Sequence, residues 1–287
     1  MIISVASGKG GTGKTTVSTS LALSVEGAML LDCDVEEPNS HLFIKPDIGE
    51  KENVYIPVPE VDEALCNGCG KCREICRYNA IAVLNDNVLV FEELCHGCGS
   101  CSYFCPQGAI HERDREVGVV EIGDKNGLQF IHGKLLIGTP MPTPVIKAVK
   151  KHIDPAKVNI IDVPPGTSCP VVESIKGSDY CILVTEPTPF GLHDLKLAVS
   201  VLQKMKIPFG VVINRSDLGD NKTKEYCDRN RIPLLMKIPF DRNIASAYAR
   251  GVPLVEAFPD YKKQFNILYQ HVRKRVGGGI KLDRVAK

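Results

Sequence analysis

Nine residues, Gly8-Lys9-Gly10-Gly11-Thr12-Gly13-Lys14-Thr15-Thr16, restrict the fold of this chain more than any other stretch. They follow an apolar run, Ile2 to Ala6, that reads as a short buried strand, and they precede an apolar helical stretch, Val17 to Val25. Strand, glycine-rich loop and helix in that order make the setting a phosphate-binding loop requires. Gly8, Gly10, Gly11 and Gly13 let the backbone curl, with Thr12 among them, so that successive N–H groups and the helix N-terminus face an anion. Lys14 brings positive charge to the phosphates and Thr15 a hydroxyl for Mg²⁺, and Thr16 belongs with them among the expected nucleotide-binding residues. A glycine-rich turn without a ligand does not explain Lys-Thr placed at the helix start.

Two acidic strand ends fit the same site. A run from Met29 to Leu31 ends in Asp32-Cys33-Asp34, and another from Val158 to Ile161 ends in Asp162-Val163-Pro164-Pro165-Gly166. Carboxylates at the carboxyl ends of parallel strands lie beside a phosphate loop, where they hold Mg²⁺ through water or orient an attacking water. Asp162 is the expected Mg²⁺-side acid and Asp34 the expected water-orienting acid; capping a helix is the alternative role for each. Tyr180 to Thr185 and Phe209 to Ile213 read as further buried strands followed by helical stretches. The expected fold is therefore α/β, a doubly wound and mostly parallel sheet.

Between the second strand and Asp162 lies a segment that a minimal domain of this kind does not need. It contains Cys66-x-x-Cys69-x-x-Cys72-x-x-x-Cys76 and then Cys95-x-x-Cys98-x-x-Cys101-x-x-x-Cys105-Pro106, the spacing of a bacterial two-cluster ferredoxin, twice over. In that arrangement the fourth cysteine of each motif ligates the other cluster. One [4Fe–4S] cluster is thus assigned to Cys66, Cys69, Cys72 and Cys105, and the second to Cys95, Cys98, Cys101 and Cys76. Zinc is the competing reading, but a zinc ribbon leaves two thiols of every four unused. Arg77 stands where proline is usual after the fourth cysteine, a change that removes no ligand. Gly68, Gly70, Gly97 and Gly99 suit backbone N–H groups that approach inorganic sulfur closely. The expected module, a small α+β unit of residues 61–115, interrupts a nucleotide domain of residues 1–60 and 116–287. It is too short to bury much core, so bound metal should supply much of its folding energy.

The additional lysine in Lys9-Gly10-Gly11-Thr12-Gly13-Lys14-Thr15 resembles the deviant Walker A motif of the MinD/ParA family, which includes Mrp-type cluster carriers and the nitrogenase iron protein. The resemblance covers nearly the whole chain. It implies an ATPase using ATP and Mg²⁺, with Lys9 reaching across a nucleotide-sandwiched homodimer. It also places Asp34 at the catalytic acid and Asp162 to Gly166 at switch II. It further implies that Asn214 reads adenine, as does the backbone around Ile238-Pro239-Phe240. Asn214-Arg215-Ser216-Asp217 also resembles the guanine-reading Asn-Lys-x-Asp, which keeps GTP as an alternative.

Lys plus Arg number 35 against 34 Asp plus Glu, so no general attraction to nucleic acid or anionic lipid is indicated. No apolar run reaches the roughly 18 to 20 residues that span a bilayer, and Met1 to Ala6 lacks the charged start of a signal peptide. The expected address is the cytoplasm, without stable membrane insertion, where the 12 cysteines stay reduced and favour metal binding. Of the remaining four, Cys181 and Cys227 are expected to pack as small hydrophobes, whereas Cys169 and Cys33 are weaker candidates for redox or transient cluster chemistry. Gly277-Gly278-Gly279 is expected to start a flexible basic tail. Three functions fit these features: an ATPase coupled to electron transfer through two clusters, a cluster carrier, and a partner-positioning switch with structural clusters. The redox partner or client is not named by any motif.

Overall fold

The computed structural model describes residues 1–278; the end of the expected basic tail lies outside the described residues. In chain order, β1 (Ile2–Ala6), α1 (Lys14–Ser24), β2 (Ala28–Asp32), α2 (Ser40–Ile44) and β3 (Asp47–Val61) lead into a small excursion. That excursion holds α3 (Lys71–Ile75), β4 (Ile81–Leu84), β5 (Asn87–Val90) and α4 (Ser100–Tyr103). The chain returns through β6 (Ile110–Lys125), β7 (Leu128–Leu135), α5 (Thr143–Lys150), β8 (Val158–Asp162) and α6 (Cys169–Ile175). It continues with β9 (Tyr180–Thr185), α7 (Pro189–Met205), β10 (Phe209–Asn214) and α8 (Lys222–Arg229). It finishes with β11 (Leu234–Ile238), α9 (Arg242–Ala249), α10 (Leu254–Ala257) and α11 (Asp260–Gly278).

Among the described residues, nine strands form one sheet in the order β11-β10-β9-β1-β8-β2-β7-β6-β3. The run from β11 to β7 is parallel, and β6 and β3 add an antiparallel edge. The central strands are short, apolar and buried on both faces, as parallel strands under helices must be. Ile3, Val5, Leu30, Ile160 and Ile182 pack under Val17 and Leu21 of α1 and Phe265 and Leu268 of α11. On the opposite face, Met29, Leu31, Ile161 and Leu183 meet Val145 and Val149 of α5, Ile175 of α6 and Leu195 and Leu202 of α7. Each such side chain contributes about 1.5–3 kcal/mol on burial, which is why this three-layer core anchors the loops above it. Among the described residues, no helix is long and apolar enough to cross a membrane.

In sequence, Glu116 to Leu136 reads as short strands and a turn returning from the cysteine segment; in the structure β3 and β6 pair over a longer span, from Asp47 opposite Asp124 to Val61 opposite Ile110. They form one long ribbon that carries the chain out to the cysteine segment and back. Pro57 and Pro59 are tolerated in β3 because that strand pairs only with β6, and an edge strand can spare N–H groups. β6 turns into β7 through Asn126 and Gly127, both left-handed (φ 52° and 85°), the requirement of a tight hairpin turn.

Candidate functional site

The loops leaving β1 and β8 open a crevice. β1 leads through α1 to β2 on one side, while neighbouring β8 leads through α6 to β9 on the other, so their loops part in opposite directions. The phosphate loop occupies this point. Gly13 precedes α1 with φ 92°, and a Cβ there would lie 2.3 Å from Asn214 Nδ2, so both conformation and space demand glycine. Asn214 Nδ2 donates to the Thr12 carbonyl at 2.9 Å, tying the end of β10 to the loop. α1 is rich in Ser and Thr, whose hydroxyls turn back onto its own carbonyls, as Thr19 does to Thr15 at 2.6 Å, allowing the helix to be buried.

An open cleft is lined by Gly10, Gly11, Gly13, Lys14, Thr15, Thr16, Asp34, Asn214 and Pro239. Gly8 lies beneath it, packed so closely on α7 that a Cβ would come within 2.4 Å of the Asp194 carbonyl. Thr12 is buried and is held by its carbonyl. Asp162, fully buried under the loop, accepts from Lys14 Nζ at 2.9 Å, and Asp34 accepts from it at 3.3 Å. Burial opposes charge on Lys14, but Asp162, Asp34 and Asp32 outweigh it and hold the ammonium above its ordinary range. Burial, opposed by Lys14, leaves Asp34 above its ordinary value. Lys9 turns towards Glu186 at 3.6 Å, and Glu186 also accepts from Arg215 Nη1 at 2.7 Å.

Ser40 and Glu186 complete the site and carry no signal in the linear sequence; Asp32 joins them from the acidic end of β2. The Asp32 carboxylate accepts from the backbone N–H of Asp34 and of Ser40, each at 3.0 Å, and the Ser40 hydroxyl donates to Asp162 at 3.0 Å. Burial and then the adjacent Asp162 push Asp32 up to about 7. On the far side of the cleft, Ile238, Phe240, Ile244, Ala245 and Tyr248 form an apolar wall. Asp217 does not line the cleft and accepts from the Phe240 N–H at 2.6 Å.

The cysteine segment is built as two matching halves. Gly68, Gly70, Gly97 and Gly99 all have positive φ, and Gly70 and Gly99 precede α3 and α4. Cys76 Sγ accepts from Ala80 N–H and Cys105 Sγ from Ala109 N–H, both at 3.4 Å, the same contact in each half. Cys76 lines one hollow together with Cys95, Cys98 and Cys101. Cys72 packs with Ile81 and Ile110 in a small apolar cluster that Cys76, Cys101 and Cys105 also touch, and Cys66 and Cys69 act electrostatically on Cys72. Burial pushes Cys72 and Cys95 up, whereas the hydrogen bond with Ser100 brings Cys98 below its ordinary value. Tyr78 and His96 stack beside the hollow with ring centroids 3.6 Å apart. Among the described residues, no three Cys, His, Asp or Glu side chains converge as a single metal ion requires. Cys33, Cys181 and Cys227 are buried, and Cys169 is exposed at the start of α6.

The profile of the CobQ/CobB/MinD/ParA nucleotide binding domain matches residues 3–254. The uncharacterised protein MJ0579 of Methanocaldococcus jannaschii is 31% identical over 274 residues, 93% of this chain and 95% of its own. An iron–sulfur cluster carrier protein of Pyrococcus horikoshii is 32% identical over 132 residues, 39% of this chain and 44% of its own. In fold, the chain is similar to the septum site-determining protein MinD of Pyrococcus horikoshii, solved in complex with Mg-ADP. That likeness has a TM-score of 0.56 at 23% identity, covering 98% of this chain and 99% of MinD. The matched profile starts in β1 and runs through every parallel strand bordering the cleft, and on that ground this chain belongs to the CobQ/CobB/MinD/ParA family of nucleotide-binding domains.

Proposed function

We propose that this protein is an ATPase whose nucleotide-dependent dimer cycle is coupled to electron transfer through two [4Fe–4S] clusters. The observation that carries the reading is the hollow in which Cys76, from the first motif, meets Cys95, Cys98 and Cys101 of the second. That crossing of motifs is what two-cluster ferredoxin ligation requires and what a pair of independent zinc knuckles does not. Cys66, Cys69, Cys72 and Cys105 form the complementary set. Residues 61–115 act as the ferredoxin-type module and 1–60 with 116–287 as the ATPase unit. When bound, the clusters would supply one-electron redox capacity. The chain's own contribution is to aim the Ala80 and Ala109 N–H groups at sulfur, a lever on reduction potential.

In the cleft, Lys14 and the loop N–H groups bind the phosphates, Thr15 and Asp162 hold Mg²⁺, the latter through water, and Asp34 orients the attacking water. Lys9, in a partly exposed ion pair with Glu186, reaches a second subunit's phosphates. Asn214 and the wall around Pro239 favour adenine over guanine, because Asp217 already accepts a backbone N–H and does not line the cleft. A second reading, a carrier delivering clusters to client proteins, is favoured by the partial match to the Pyrococcus horikoshii carrier.

The test is the reduction potential of anaerobically prepared protein with no nucleotide, with Mg-ADP and with Mg-ATP. Coupling requires different values with ATP and ADP, and identical values in all three states refute it. Rapid transfer of iron and sulfide to an acceptor apoprotein, together with identical potentials, would establish the carrier reading instead. Colourless protein containing zinc would end both.

A further inference from the structure

A row of side chains, of which the function above uses only Asp162, runs from the cleft across the sheet to the sheet end of the β3–β6 ribbon, whose other end carries the cysteine segment. Across five adjacent strands, Asp162 of β8 pairs with Asp32 of β2, Asp32 with His132 of β7, His132 with Glu121 of β6, and Glu121 with Lys51 of β3. Residues paired across a ladder project from the same face. The row therefore runs from beside Lys14 to the ribbon that carries the eight cysteines.

The contacts follow the row. The Ser40 hydroxyl and N–H tie the start of α2 to Asp162 and Asp32. The next residue, His41, has its ring centroid 5.2 Å from that of His132. His132 Nε2 lies 2.9 Å from Glu121 Oε2, and the same carboxylate accepts from Lys134 at 2.8 Å and pairs with Lys51 at 3.8 Å. His132 is 1% exposed, and among the described residues its Nδ1 has no hydrogen-bond partner. A buried polar atom without a partner is costly, and one packed against α2, which is tied to the phosphate site, marks a packing that a second arrangement would relieve.

We propose that Ser40, His41 and His132 form a positioning relay that couples the phosphate-site carboxylates to the β3–β6 ribbon. Lys14 now occupies Asp162 and Asp34. A triphosphate that draws Lys14 towards itself changes the charge balance at Asp162 and with it the hold of Asp162 on the Ser40 hydroxyl. α2 then shifts against His132, and the Glu121 anchor between β6, β7 and β3 shifts with it. This inference rests on the coupled reading above and supplies the physical link that reading lacks.

The test is amide hydrogen exchange of the iron-loaded full chain with and without the magnesium complex of a non-hydrolysable ATP analogue. The relay requires exchange in ribbon residues 113–121 to change by about threefold or more. His132→Phe should abolish that response while nucleotide affinity stays within about twofold. His132→Gln, which keeps a donor towards Glu121, should restore it, and His41→Ala should weaken it in a protein whose core is untouched. An unresponsive wild-type ribbon, or a full response in both His132→Phe and His41→Ala, overturns the relay. A responsive ribbon with identical potentials in ADP and ATP refutes electron-transfer coupling and leaves the relay standing. Nucleotide-dependent potentials that persist in both variants do the reverse.

Discussion

Lys14 and Glu121 are opposite outcomes of one competition between burial and partners. Lys14 is deeply buried, yet three carboxylates more than offset its desolvation, so it arrives at the phosphates fully charged. Burial also works against ionisation of Glu121, but hydrogen bonds from Lys134 and His132 outweigh it and hold the carboxyl down at about 2, against an ordinary 4.5. Because the folded value lies below the unfolded one, its stabilisation is complete above the ordinary value and is lost as pH falls through the folded one. Glu121→Gln should therefore cost about 2 kcal/mol near neutrality, the scale of a hydrogen bond to a charged group. In denaturant titrations the stability gap to wild type should close between about pH 4.5 and pH 2. A gap that stays constant over that range contradicts the assignment.

At the scale of elements, the ribbon is unusual because its two strands belong to both parts of the molecule. One end is sheet edge, and the other supports the second cysteine motif, where a Cβ on Gly97 would meet the Pro57 carbonyl at 3.0 Å. Cys95 and Ala80 pack into the same core as Val54, Ile56 and Val58, so this half of the segment leans on the sheet. The half around Cys72 has only a small satellite cluster with Ile81 and Ile110. Metal ligation should matter most where apolar burial is least. After anaerobic iron chelation, limited proteolysis should cut first between Cys66 and Cys76, then elsewhere in 62–109, and leave the nucleotide domain intact. Uniform resistance to the protease, or first cuts in the parallel strands, would show that the metal does not hold this segment together.

At the scale of the whole molecule, the crevice between β1 and β8 presents Lys9 on an open face. Its pairing with Glu186 at 3.6 Å leaves the lysine side chain 35% exposed, a type of contact worth at most about 1 kcal/mol. Such a contact is easily exchanged for a phosphate across a dimer. Sedimentation should show Mg-ATP, and not Mg-ADP, shifting the protein to a dimer. Lys9→Ala should bind nucleotide within about threefold of wild type and stay monomeric. A Lys9→Ala variant that dimerises normally with ATP removes that role from Lys9.

The phosphate loop, the central strands and the paired cysteine motifs were legible in the chain as written, because each is local. Gly13 needs its φ of 92° whatever lies around it, and a short apolar run such as Val158–Asp162 is buried in any sheet of this kind. The ribbon was not legible: Pro57, Pro59 and the charged Glu50-Lys51-Glu52 carry no strand signal of their own, and only β6 supplies their partner strand. Ser40, Glu186 and the row from Asp162 to Lys51 were invisible for the same reason. Their meaning lies in strand register, which joins residues far apart in sequence, and register is settled only when the sheet has assembled.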